Sequence, residues 1–250
     1  MPFTFSHPAI ILPLKKLSPG AFSLTGLIIG SITPDFEYFI RMKVKSIYSH
    51  SLVGLFWFDI PLAILLTFVY HNNVRNKLTA NLPAFLNNRL NGFATFDWND
   101  FFKKNWLVVV LSIVIGAASH LLWDSFTHPA GFFVQRLGVL QKGINIFQKH
   151  VPLYSILQQL STLIGGAIVI WVILRLKSKK SIQSPYKVFY WLIVGGITAI
   201  TLGCRFCGGL NFHMYGDIIM TTIAGFIFAI IIAPAIFRLS SGKTTSRQQF

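Results

Sequence analysis

Residues 106–129 read WLVVVLSIVIGAASHLLWDSFTHP. From Trp106 to Phe126 the only ionisable side chains are His120 and Asp124, and the stretch has the roughly 20-residue length that a bilayer requires of a helix. His128 follows at the same spacing of four. At 3.6 residues per turn, positions i, i+4 and i+8 share a helix face. A segment built for lipid therefore ends in a polar stripe. Ionisable groups at membrane depth are costly unless they face protein or water, and they mark function.

The rest of the chain has the same character. Of its 250 residues 53% are hydrophobic and 12% are charged, about half the charge of a soluble domain. The apolar residues fall in long blocks, at 52–70, 106–126, 153–174, 188–204 and 215–237. This pattern predicts an all-α, polytopic membrane protein with about five transmembrane helices. Residues 9–32 are apolar but divided by PLKKLSPG into two pieces too short to cross, the pattern of a broken or re-entrant segment. A single helical membrane domain is expected over 1–237. Loop 72–105 is expected to carry an interfacial helix, and 238–250 a polar, disordered tail. Pro61, in FWFDIPLA, is expected to kink the first span. No cleavable signal peptide is evident at MPFTFSHP.

Net charge is +15, but the Lys and Arg lie between apolar blocks, as RMKVK, FFKKNW and RLKSKK. There they set topology and meet anionic lipid headgroups, the expected partners; no nucleic-acid-binding pattern is present. The larger share of Lys and Arg falls in 72–105, 175–187 and the tail, which places those segments in the cytoplasm. His7, His50, His120, His128, His150 and His213 then gather on the opposite, extracytoplasmic side with Asp35, Glu37, Asp124 and Asp217, while His71 stands apart. The inner membrane of a bacterium is the expected location.

Imidazole and carboxylate together suit Zn²⁺, Mn²⁺ or Fe²⁺. SHLLWDSFTHP offers His120, Asp124 and His128. SITPDFEYF offers Asp35, which could equally cap the helix that follows, and Glu37. His7 in FSHP precedes a proline, which biases its backbone towards extended geometry. His50 opens the first span. NFHMYGD repeats the H-x-x-x-D spacing with His213 and Asp217, and Asp59 lies within a span. CRFC (Cys204, Cys207) reads most simply as two small residues at a helix end. GLIIGS and LIGGAI read as small residues that let helices approach. No serine-hydrolase elbow or nucleotide-binding glycine pattern is present.

MPFTFSHPAIILPL, GSITPDFEYF, HSLVGLFWFDIPLA and SHLLWDSFTHPAG, in that order, resemble a family of bacterial polytopic membrane proteins, the domain-of-unknown-function family 4184. More distantly the layout is similar to predicted membrane-bound metal-dependent hydrolases. That likeness implies a metal site of His7, Asp35, His50, His120 and Asp124, although Glu37 and His128 depart from its pattern. The reading adds His128 as a sixth ligand, Zn²⁺ as the ion, and Glu37 or Asp124 as the catalytic proton acceptor. The expected substrate is a lipid or lipid-linked phosphoester. A transporter relaying protons or cations through the same residues, and a structural membrane protein, are the rival expectations; oligomeric state is left open.

Overall fold

The structure is a computed structural model that describes residues 3–18, 20–146, 148–181 and 183–245. It is an all-α protein in which five helices are long and apolar enough to cross a membrane. Two short helices come first, α1 (Pro8–Leu17) and α2 (Leu24–Ile32). At 1.5 Å per residue each reaches about 15 Å, half the hydrocarbon thickness. A turn at Thr33–Asp35 leads into α3 (Phe36–Arg41). The five long helices are α4 (Leu52–Asn81), α5 (Trp98–Thr127), α6 (Leu153–Arg175), α7 (Lys187–Cys207) and α8 (Tyr215–Thr245).

The first helix exceeds its expected span, and what was read as the start of a long loop is helical to Asn81. A short helix, Ala84–Leu90, and a single 3-10 turn, Asn91–Phe93, interrupt the remainder. The second begins at Trp98, and its kink at Asn105 (φ −132°, ψ 27°) lies immediately before the expected start at Trp106. Asn105 Nδ2 donates to the Phe101 carbonyl at 3.0 Å, which satisfies an acceptor beside the break. FDWNDFF is thus the first turns of α5. The last helix runs on to Thr245, and the remainder of the expected tail, 246–250, lies outside the described residues. One element escaped the sequence reading, an antiparallel hairpin of Gly143–Ile146 with Lys149–Pro152.

Pro61 acts as a widened turn. The Ile60 N–H bonds the Leu55 carbonyl five residues back, and this π-turn makes room where the proline ring would clash. Asp59 is buried in it.

The chain gathers into two compact units. The first comprises residues 1–36, 47–67 and 100–175. Within it α2 and α5 touch backbone to backbone. A Cβ on Gly30 would stand 2.4 Å from the Ile113 carbonyl oxygen, and one on Gly116 2.4 Å from that of Leu27. Gly26 meets Ser112, whose hydroxyl accepts the Ser23 N–H at 2.9 Å. The Gly26–Gly30 and Ser112–Gly116 pairs are the small-xxx-small pattern by which membrane helices approach closely.

The second unit comprises residues 37–46, 68–99 and 176–250. Its core packs Tyr190 and Val194 of α7 on Ala229 and Ala233 of α8. His71 belongs here, stacked on Trp98 at 4.6 Å and bonded through Nδ1 to the Arg75 guanidinium at 2.8 Å. Arg75 also holds the Ala94 and Phe96 carbonyls. His71 is thus a packing residue of this unit.

Candidate metal centre

Four side chains of the first unit converge. Asp35 comes from the turn after α2, His50 from the loop before α4, and His120 and Asp124 from successive turns of α5. His50 Nε2 stands 3.3 Å from Asp35 Oδ1 and 3.6 Å from Asp124 Oδ2. His120 Nε2 stands 3.4 Å from Asp35 Oδ1 and 3.5 Å from Asp124 Oδ2. The ligand atoms of all four lie within 4.8 Å of one another. In a tetrahedral zinc site with bonds of about 2.0–2.1 Å, ligand atoms stand about 3.3–3.4 Å apart. This buried Asp/His cluster could hold a metal ion.

Three of the four side chains are aimed by a partner behind them. His120 Nδ1 lies 2.7 Å from the Ser31 carbonyl, which can only accept, so Nδ1 carries the hydrogen and Nε2 is the nitrogen that a metal ion would take in place of a proton. The glycine contacts of α2 and α5 bring that carbonyl close. Thr4 Oγ1 donates to Asp35 Oδ2 at 2.5 Å, leaving Oδ1 to face the cluster. Ser49 Oγ lies 2.9 Å from His50 Nδ1. Such partners orient metal ligands and tune their basicity. The cluster's own atoms lack them: Asp35 Oδ1, His120 Nε2 and both Asp124 oxygens are buried with no hydrogen bond. Three buried carboxylate oxygens without hydrogen bonds are costly, and a cation among them resolves the cost.

His50 carries a backbone φ of +58°, uncommon for a residue other than glycine. The loop is pinned at Gly54, where a Cβ would fall 1.8 Å from the Tyr48 carbonyl oxygen, and Ser51 caps α4 by accepting the Gly54 N–H. Burial lowers the proton affinity of His50, but the carboxylates of Asp124 and Asp35 outweigh it and raise its pKa. Burial would raise the Asp35 carboxyl; His120 and then His50 overcome this and hold it well below the usual carboxylate range.

The other expected residues fall as follows. His7 lies beside the four, its ring stacked on His120 at 3.7 Å and its Nε2 3.7 Å from Asp124 Oδ1. Burial, then the charge of His120, push its pKa down to about 3, so the imidazole is neutral. Its backbone is helical (φ −58°, ψ −35°) where extended geometry was expected. The turn Thr4–Ser6 runs straight into α1 and overrides the preference before Pro8. His128 lies just past α5, half-buried, with Nδ1 accepting from the Ala130 N–H at 3.3 Å. Glu37 belongs to the second unit, where Arg41 Nε donates to Oε1 at 2.7 Å and Ser46 Oγ to Oε2 at 3.0 Å. Asp217 accepts the Val44 N–H at 2.8 Å, and His213 is exposed. Cys204 and Cys207 are exposed thiols.

Thr4, Ser31 and Ser49 were missed by the sequence reading. Each lies within four residues of a candidate ligand, but a hydroxyl or carbonyl nearby in sequence carries no sign of where it points.

Residues 1–235 match the family described as Domain of unknown function (DUF4184). The chain belongs to that family. No curated protein and no solved structure matches it.

Proposed function

We propose that the protein is a membrane-embedded, divalent-metal-dependent hydrolase acting on a lipid or lipid-linked phosphoester. The observation that carries this reading is the convergence of two imidazoles on two carboxylates: His50 Nε2 and His120 Nε2 each stand 3.3–3.6 Å from both Asp35 Oδ1 and Asp124 Oδ2. The mixed imidazole and carboxylate set favours Zn²⁺ and disfavours Ca²⁺ and Mg²⁺, which prefer oxygen ligands. Two carboxylates and two neutral imidazoles bring a charge of −2, which one divalent ion cancels. When bound, Zn²⁺ supplies a Lewis acid and a water of pKa near 7. The chain's own part is to fix the ligands, orient them through Thr4, Ser31 and Ser49, and exclude bulk water by burial.

A site built on apolar helices suits a substrate that arrives through the bilayer surface, on the extracytoplasmic side of a bacterial inner membrane. A rival reading rests on Asp59, buried beside Pro61 in α4: a transporter that relays protons or cations. Elemental analysis of detergent-purified protein tests the proposal. Stoichiometric zinc in the wild type, lost in His120→Ala and Asp124→Ala, with phosphoester turnover lost in parallel, is the expected result. Metal-free wild-type protein of normal stability, or liposome flux dependent on Asp59 without turnover, would overturn it.

A further inference from the structure

The four-residue cluster uses one oxygen of Asp124. Oδ2 faces His50 and His120, whereas Oδ1 faces His7 Nε2 at 3.7 Å. Both Asp124 oxygens and both nitrogens of His7 are buried without a hydrogen bond, and His7 is only 1% exposed. An imidazole buried with neither nitrogen satisfied is expensive, and nothing in the four-ligand set repays it. The residue is nevertheless held firmly. The Phe3 N–H donates to Thr162 Oγ1 at 3.0 Å, and Ser6 Oγ to the Thr162 carbonyl at 2.9 Å. A Cβ on Gly165 would lie 2.9 Å from Ser6, so α6 meets the N-terminal turn closely. The ring is sandwiched between the His120 face at 3.7 Å and Trp123, edge-on, at 5.6 Å.

We propose that the centre is dinuclear: Asp124 bridges two divalent ions, Oδ2 serving the first and Oδ1 the second, with His7 Nε2 as the second ion's imidazole ligand. This rests on the metal-centre reading above and extends it. The two oxygens of Asp124 thus face different imidazoles, Oδ2 those of His50 and His120 and Oδ1 that of His7, which is the arrangement a bridging carboxylate needs. The second position has two protein ligands, which leaves its remaining positions to water and substrate. It is therefore the weaker site. Two ions against two carboxylates leave a local charge of +2, which suits an anionic phosphoester whose oxygens complete the coordination.

The test uses full-length protein in detergent, stripped with a chelator and titrated with Mn²⁺, with bound ion counted and paramagnetic resonance recorded. The wild type is expected to take up two ions per chain and to show the signal of an exchange-coupled pair. His7→Ala is expected to take up one ion, uncoupled, with affinity for the second weakened at least tenfold. The coupled signal in the wild type tests the proposal even if the variant fails to fold. Saturation of the wild type at a single ion would overturn the dinuclear centre and leave the mononuclear hydrolase standing. Two ions retained in His7→Ala would overturn the role of His7. Failure to bind any ion would remove both readings together.

Discussion

Thr4 reaches Asp35 across 31 residues of sequence to donate one hydrogen bond. That contact holds the carboxylate in the rotamer that presents Oδ1, so it is felt by whatever Oδ1 binds. Thr4→Val keeps the side chain's shape and removes the donor. We expect zinc affinity to fall about 10–100-fold, the usual cost of losing an outer partner, with Thr4→Ser largely restoring it; chelator competition at fixed pH measures both. Acid should act on the same residues. Zinc needs neutral imidazole and ionised carboxylate, so protons compete with it. Affinity should weaken as pH falls from about 8 to 5.5, and an unchanged affinity would argue against a His-containing site. At this scale the sequence was legible where chemistry was rare. With seven acids and seven histidines in 250 residues, Asp35, His120 and Asp124 stood out, and His50 joined them through the family resemblance. Hydroxyls such as Thr4 and Ser49 are common and gave no signal.

The pairing of α2 with α5 depends on positions where no side chain fits. Gly116→Ala places a methyl group 2.4 Å from the Leu27 carbonyl oxygen, against backbone that cannot rotate away. The helices must separate, at a cost of about 1–3 kcal/mol, and the Ser31 carbonyl moves off His120 as they do. Melting temperature and zinc content should therefore fall together. A lower melting temperature with full zinc content would mean that the helix contact and the centre are independent. Sequence marked Gly26 and Gly30 as small contact residues but not their partner Gly116, because the GLIIG spacing shows a face and not what meets it. Helix ends were legible where composition changed sharply, as at Tyr215. They were missed where helices continue through polar residues, as α4 does to Asn81 by means of a second π-turn at Tyr70–Val74.

At the scale of the whole molecule, an odd number of crossings, as five candidate spans would give, predicts that the two ends of the chain fall on opposite sides of the membrane. The distribution of Lys and Arg favours a cytoplasmic tail. A fluorescent protein fused after Phe250 should then glow, and alkaline phosphatase fused there should be inactive. The reverse pattern would move the metal centre to the cytoplasmic face. The bound ion should also stabilise the whole fold. A ligand at 100 times its dissociation constant adds about 2.7 kcal/mol, so zinc should raise the melting temperature of the wild type and leave His120→Ala unmoved.

The bond between Ser31 and His120 joins positions 89 residues apart. Ribosomes add about 5–20 residues per second, so the Ser31 carbonyl waits roughly 5–20 s before its imidazole is even synthesised. Asp35 and His50 are made in the same early interval, without the groups that complete their pocket. On the metal-centre reading proposed above, loading with metal would therefore be a late event of biogenesis, possible only after α5 has been made.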